Sequence, residues 1–559
     1  MAEEEKQGIH LHINDALYNA GLLGLYRVLN RMPADSSGEP YYRLDSENLI
    51  VRKEAFSEEF TKAYFEELID RYGSDTVYEN LIKELEWILS PNAREAEDFP
   101  KKLKKCISSL CEKLKRNSYT AGFEILRKYY NTKYDFWGIV KSIKNEENQQ
   151  KQLNMLQELY EQMKQEDVRH VLCLKDIVYT RVQNYWTGVS FLYKYKTKNK
   201  EPNKEPFEQA FSDYFLVPIA TYKPKKGKKV MPCFQCGRAL QAKASSTAWV
   251  NDTMPDVKRK TDSFWNYVPD IMMCPYCMLV YACVPLGFTT FASEGVFVND
   301  CRSIRTLNTA NNFPDSSQDL QKDAFAEVIN QFLLTADETQ AENWLQNVQV
   351  VRRSGDTYRV NTLTADMLED FVGLKGTLGK LLKANPYLFH QTLEHILNGQ
   401  ELYGLMLQGY RNSLEQGYGL GIYNWLLEIQ IKMFCRKRDK EAVKTQMSLK
   451  SQAYRAGAVL KARIWEVNID TGKQRANGKR LIGVTYRLLN ALQGDNQKLF
   501  FDTIERLYMS FGFEIPKIFF YAIHNDENFQ VIGHAFVQGL NSASKENKTN
   551  EENKGEDKA

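Results

Sequence analysis

Apolar residues recur at three- and four-residue steps through most of the chain, a pattern that predicts a largely helical fold. The first such segment is Asn14–Asn30, where Asn14 is placed to cap and Leu17, Gly21, Gly24 and Val28 share a face. Ala20, Gly21 and Gly24 leave one side of this helix thin, so a second backbone can come close; a buried core helix is expected. Before it, His10 and His12 alternate on what reads as a short strand, and after it Tyr41–Val51 reads as a short hairpin. From Glu54 to Tyr195 the pattern is amphipathic, charged and helical, as in Phe60–Tyr72, Val77–Leu89 and Leu153–Met163, with Pro91 and Pro100 as breaks. Lys101–Lys115 is a lysine-rich helix carrying Cys106 and Cys111. It reads as a solvated face, with nucleic-acid contact as the alternative. Arg181–Leu192 is dense in aromatic residues and returns to the core.

In the second half, Met278–Phe288 is continuously apolar and reads as β-like, ending in Pro285-Leu286-Gly287. Val348–Val360 reads as a hairpin turning at Ser354-Gly355, and Leu363–Gly373, Tyr387–Asn398 and Tyr418–Phe434 read as helices. The charged stretch Arg436–Gln446 suggests a boundary. Beyond it Leu449, Ala453, Ala456, Leu460 and Ile464 form a helical stripe, followed by a glycine-rich basic loop at Thr471–Arg480. Leu481–Leu492, Gln497–Phe511, Pro516–His524 and Asn528–Leu540 complete a bundle of four or five helices. The expected fold class is α+β and mostly helical. A large N-terminal α/β domain (1–435) contains a helical region (54–195) and a four-cysteine zinc-binding insertion (223–290); a C-terminal helical bundle (447–541) follows. The Lys-, Glu- and Asn-rich tail, 542–559, is expected to be disordered.

Composition narrows the class. A length of 559 residues argues for two to four domains. With 43% hydrophobic and 12% aromatic residues the chain is globular. Ten cysteines behind an acidic, polar N-terminus, with no secretory or transit pattern, suggest a reduced cytoplasmic setting. No apolar run reaches a membrane-spanning length. The net charge is only +3, so any nucleic-acid surface has to come from local clustering.

The most specific chemistry is a pair of Cys-x-x-Cys knuckles, Cys233/Cys236 and Cys274/Cys277, separated by 37 residues. Two thiolates from one tight turn grip one side of a metal ion, and two such pairs complete a tetrahedral sulfur site that suits structural zinc. A disulfide pair or a redox Cys-x-x-Cys is the alternative. No histidine lies between His170 and His390, so a Cys–His site in this stretch is excluded; Cys283 and Cys301 stand nearby as spare thiols. A basic loop containing Lys225, Lys226, Lys228 and Lys229 leads into the first knuckle. Between the knuckles, Lys258, Arg259 and Lys260 are interleaved with Trp249, Phe264, Trp265 and Tyr267. Cations attract phosphates, and aromatic faces or the amides of Asn251 and Asn266 can reach bases; a solvated loop packed on the knuckles explains the same residues. Arg455, Lys461 and Arg463 form a further basic flank in the C-terminal stripe.

Catalytic motifs are scarce. Gly373–Lys380 resembles a phosphate loop, but its glycine spacing is wrong and Leu381 stands where Ser or Thr is needed. An alternative reading, a zinc-ribbon nucleic-acid enzyme acting as a metal-dependent nuclease, would rest on His10, His12 and Asp15. A third reading is an assembly protein with no DNA role. Cys173, Cys301 and Cys435 are isolated and read as packed thiols.

Four stretches together carry a resemblance. They are the run His12–Leu25; Asn184-Tyr-Trp with Phe191-Leu192; the paired knuckles ending Cys274-Pro-Tyr-Cys-Met-Leu-Val-Tyr with Pro285-Leu-Gly-Phe288; and Gly533-His-Ala-Phe-Val-Gln-Gly-Leu540. In order and spacing they resemble the large subunit of type I-B CRISPR interference complexes, the Cst branch of the Cas-eight proteins. The resemblance implies a non-catalytic subunit of Cascade that helps recognise the protospacer-adjacent motif in double-stranded DNA and promotes R-loop formation. It implies as partners the backbone, guide-end and guide-processing subunits, the small subunit, the guide-RNA ribonucleoprotein, the target duplex with its displaced strand, and a separate helicase-nuclease. In that setting guide pairing reads the long sequence and protein reads a short duplex motif. Lys258, Arg259 and Lys260 would hold phosphates, Asn251 or Asn266 would reach a base edge, and Arg455, Lys461 and Arg463 would meet the displaced strand or neighbouring subunits.

Overall fold

Asp15 accepts hydrogen bonds from the backbone N–H groups of Leu17 and Tyr18, both at 3.0 Å, and so starts helix α1, Ala16–Arg31. The cap is one residue later than the sequence pattern suggests: the Asn14 backbone bonds the Asn19 side chain, and the Asn14 side-chain amide donates to Gln235 O at 3.2 Å instead. In this computed structural model the described residues are 8–45, 47–95, 98–186, 206–223, 231–241, 245–247, 249–250, 272–291, 294–312, 348–354, 357–416, 420–434, 440–471, 474–523 and 526–542. The expected disordered tail falls outside them from residue 543 on. The architecture is mostly helical with small sheets, as the periodicity predicts.

The described chain divides into two compact units, one holding residues 8–312 and 348–360, the other the residues from Asn361 on. In the first unit, strand β1 (Ile9–His12) pairs antiparallel with β3 (Asn48–Val51), which also pairs with β2 (Tyr42–Leu44). Leu11, Leu49 and Val51 turn from this sheet into the core. A helical array follows: α2 (Glu58–Tyr72), α3 (Val77–Leu89), α4 (Phe99–Leu114), α5 (Asn117–Tyr129), α6 (Phe136–Asn145), α7 (Gln149–Met163) and α8 (Glu166–Thr180). On α4, Leu103, Cys106, Ile107 and Leu110 face inward and Lys101, Lys102, Lys104 and Lys105 are exposed, a solvated lysine face.

The apolar run after the knuckles is not β. It forms two short helices, α9 (Pro275–Ala282) and α10 (Val284–Gly287), and every residue of both is buried. A continuous apolar stretch shows no period, so the pattern could not separate buried strand from buried helix; Pro275 and Pro285, each within the first turn of its helix, are the local signal that favours helix. The thin face of α1 lies directly on this pair. A Cβ at Gly21 would sit 2.3 Å from the Val280 carbonyl oxygen, and one at Gly24 would sit 2.0 Å from that of Cys283. The carbonyls at the end of α9 and in α10 are taken up by side chains. Tyr64 and Trp186 both donate to Ala282 O, at 2.9 and 3.1 Å, and Tyr72 donates to Pro285 O at 2.5 Å. The chain continues into an antiparallel sheet in the order β6 (Thr289–Phe291), β7 (Glu294–Asn299), β8 (Val348–Ser354), β9 (Thr357–Leu363), the last two being the expected hairpin. Helix α11 (Ile304–Ala310) follows β7 and opens with a Ser303–Thr306 capping box.

The second unit begins earlier than the expected bundle at 447. It contains α12 (Ala365–Ala384), α13 (Pro386–Leu397), α14 (Tyr403–Gln416) and α15 (Tyr423–Phe434), as well as α16 (Lys440–Thr471), α17 (Gln474–Gln493), α18 (Gln497–Ser510), α19 (Ile518–Ile523) and α20 (Asp526–Leu540). Residues 440–446, expected in a linker, belong to α16, and residues 474–480, expected in a loop, belong to α17. The phosphate-loop-like Gly373–Lys380 lies inside α12 and is helical throughout. Helices α16 and α20 pack through small residues; a Cβ at Gly539 would meet the Tyr454 carbonyl oxygen at 2.0 Å. Within this core His534, fully buried, shares a hydrogen bond of 3.1 Å with the Tyr410 hydroxyl, to which Gln538 also donates at 2.7 Å. Burial lowers the His534 pKa to about 3.

Two outcomes follow. Gly24→Ala pushes a methyl group into the Cys283 carbonyl and lowers stability by about 1–3 kcal/mol or more, whereas Gly376→Ala, on an exposed flank of α12 with open space around it, raises stability by about 0.5–1 kcal/mol; thermal denaturation reads both signs. His534 is neutral when folded and titrates near 6.5 when unfolded, so the unfolded chain binds the extra proton between those values. Its contribution is therefore intact above pH 6.5 and falls by about 1.4 kcal/mol per unit as the pH drops toward 3. Urea midpoints at pH 7 and pH 5 should differ less for His534→Gln than for the parent chain.

Candidate metal centre

The first knuckle is a tight turn closed on itself. The Cys233 N–H donates to Arg238 O at 2.7 Å, the Gly237 N–H donates to Cys233 O at 2.9 Å, and Gly237 takes the left-handed conformation with φ of 69°. A residue without Cβ suits that position. The second knuckle is the start of α9: Cys274 is its N-cap residue and Cys277 sits in its first turn. Helix N-termini favour negative charge, so this placement supports thiolates. The two halves are tied by the Phe234 N–H donating to Met272 O at 3.1 Å and by β4 (Ser245–Ser246) pairing with β5 (Met272–Met273).

These elements bring Cys233, Cys236, Cys274 and Cys277 together, with the four sulfurs within 4.8 Å of one another. Cys236 and Cys274 are 3.6 Å apart at sulfur, and the Cys274 N–H points to Cys233 Sγ at 3.3 Å. All four are free thiols, and a disulfide would need about 2.05 Å. A tetrahedral sulfur site with bonds of about 2.3 Å has edges of roughly 3.8 Å, so the cluster can hold a metal ion with little adjustment. Cys233, Cys274 and Cys277 are buried and Cys236 is partly exposed, as in a closed structural site. Cys283, the spare thiol, is buried outside the cluster, and burial pushes its pKa up.

The electrostatics also call for a cation. Hydrogen bonds from the other three thiols hold Cys233 well below the ordinary thiol range, while Cys274 and Cys277 are raised by the same crowding of sulfurs. Four thiolates cannot coexist there without positive charge. Arg238 supplies part of it: burial works against its charge, but the neighbouring Cys236, Cys274 and Cys277 together outweigh that and raise its pKa. Its guanidinium donates to His10 O at 2.5 Å, which ties β1 to the knuckle. Gln235 completes the link, donating to Asp15 at 2.9 Å and accepting from Tyr281 at 3.1 Å. These roles of Arg238 and Gln235 were not legible beforehand, because an Arg and a Gln in a loop carry no periodic signal. Among the described residues no other group of three or more His, Cys, Asp or Glu side chains converges in this way, and Asp15 serves as the cap of α1.

The other sequence-selected residues divide. Lys225, Lys226, Lys228, Lys229, Asn251, Lys258, Arg259, Lys260 and Asn266 lie outside the described residues. On α16, Arg455 and Arg463 are exposed, and Arg463 stacks over Phe513 at 5.3 Å. Lys461 is less available than the helical stripe implied: it donates to the Ser542 carbonyl, and burial lowers its pKa. Among the described residues no helix is long and apolar enough to cross a membrane.

Residues 226–289 match the protein-family model described as CRISPR-associated protein (Cas_CXXC_CXXC), a span that takes in both knuckles, α9 and α10. This match supports a CRISPR-associated protein. Neither a curated protein nor a solved structure matches the chain.

The site predicts a metal content. Elemental analysis of the purified chain should give about one thiolate-bound metal ion per chain. Cys277→Ser should lose it and melt at a markedly lower temperature, since a structural site contributes on the order of 10 kcal/mol to local folding. Metal-free reduced protein with an unchanged melting point would refute the assignment.

Proposed function

We propose that this chain is the non-catalytic large subunit of a type I-B Cascade complex, acting in the cytoplasm in antiviral defence. It recognises the protospacer-adjacent motif in duplex DNA, promotes R-loop formation and helps recruit the helicase-nuclease. The observation that carries the reading is the family match on the very segment whose four sulfurs converge. The centre is structural zinc: four sulfur donors leave no open position for substrate, and this donor set suits zinc. It anchors both ends of the inter-knuckle segment, where Lys258, Arg259 and Lys260 hold DNA phosphates and Asn251 or Asn266 reads a base edge. Arg455 and Arg463, exposed on α16, supply cationic contacts to the displaced strand or to neighbouring subunits; Lys461 contributes less, being turned to Ser542.

A native pull-down of the tagged chain tests the reading. Recovery of a repeat-derived guide RNA with several other Cas subunits is the expected result. A chain that comes down alone, and that does not join purified guide complex on target duplex, would count against it.

A further inference from the structure

Helices α1, α2 and α11 of the first unit enclose a cleft of about 370 Å³ that shares no lining residue with the four-cysteine site. That volume is within the usual range for small-ligand sites, about 300–1,000 Å³. Its lining holds three arginines, Arg27, Arg31 and Arg71, against one carboxylate, Glu67. Arg31 is engaged at the rim with Asp70 at 2.5 Å and Glu66 at 3.2 Å. Arg27 donates to two neutral carbonyls, Leu286 O at 2.6 Å and Asn311 O at 2.8 Å, and among the described residues no carboxylate lies within ion-pair distance of it. Arg71 meets Glu67 at 3.9 Å, and its Nε is buried without a hydrogen-bond partner. Burial first, and then the like charge of Arg71, hold the Arg27 pKa well below its ordinary value. Two neighbouring guanidiniums are thus short of negative charge, and that of Arg71 also of an acceptor, with Glu67 already divided between Arg31 at 3.5 Å and Arg71. The unpaired, buried Arg71 Nε carries a desolvation cost that an arriving oxyanion would remove.

The opposite wall is polar but uncharged. Asn308, on α11, and Asn312, just past its end, present amides that both donate and accept, and the exposed Arg305 precedes Asn308 by one helical turn. Planar guanidinium forks match phosphate oxygens, and amide side chains match the edges of nucleobases. We propose that this cleft binds a phosphorylated nucleotide unit, with the phosphate between Arg27 and Arg71 and the base edge against the asparagine wall. The unit is either the phosphorylated end of a single strand or a free mononucleotide.

Calorimetric titration of the full chain with adenosine 5′-monophosphate, adenosine and a short RNA carrying either a 5′-phosphate or a 5′-hydroxyl tests this. Saturable binding of the monophosphate is expected, with adenosine at least about tenfold weaker. Arg71→Gln should weaken the monophosphate about tenfold or more, and Asn308→Asp, which brings negative charge to the opposite wall, should do the same. If Arg71→Gln fails to fold, Asn308→Asp decides. Tighter binding of the 5′-phosphorylated RNA than of the mononucleotide identifies a strand end, and equal binding identifies the free nucleotide; each supports the site. Absence of saturable binding by any phosphorylated probe, or binding that folded variants leave unchanged, overturns it.

Discussion

The first unit depends on a backbone-to-backbone contact. Helices α9 and α10 are apolar on every side and have no solvent face, so neighbours have to enclose them completely. On one side the enclosing element is α1, and the two main chains come so close that a single methyl group at Gly21 or Gly24 would overlap a carbonyl. At that range dispersion forces act along the whole length of the contact. The carbonyls that a short helix leaves unpaired are met by Tyr64 and Tyr72 of α2, Arg27 of α1 and Trp186, three separate parts of the chain. A buried helix end is acceptable only with such partners.

The four-cysteine site is an extension of that contact. Cys274 and Cys277 belong to the N-terminal end of α9, so the helix enclosed by α1 also presents half of the donor set. The other half reaches it on a turn pinned by Arg238 to β1 and by Gln235 to Asp15, the cap of α1. The same few residues at the start of the chain therefore position both the helix contact and the knuckle.

Much of this was legible beforehand. The cysteine spacing identified the four thiols that converge, and the small residues Ala20, Gly21 and Gly24 identified the thin face of α1. What failed did so for definite reasons. The apolar run 278–288 had no period to read, since full burial removes the polar positions that reveal one. The basic stretch 471–480 looked like a loop because of its glycines and charges, yet it is helical from Gln474, where Gln474, Arg475, Ala476, Lys479 and Arg480 are good helix formers that outweigh Gly478. The cleft lined by Arg27 and Arg71 could not be found in the sequence, since its residues come from positions 26–31, 67–71 and 308–312 and only the fold brings them together.

The length of chain between the partners of the central contact has a consequence during synthesis. Arg27 and Leu286 are separated by 259 residues. At about 5–20 residues per second, α1 leaves the ribosome roughly ten seconds to a minute before the helices that cover its glycine face exist. In that interval the sheet and the helical array hold an uncovered apolar groove. The first unit cannot mature in step with translation: its core waits for residue 288 to cover α1, and for β8, which brings Val351 into the same core. The time for which its apolar surface stands open to aggregation is therefore set by elongation speed across the interval rather than by the stability of the finished fold.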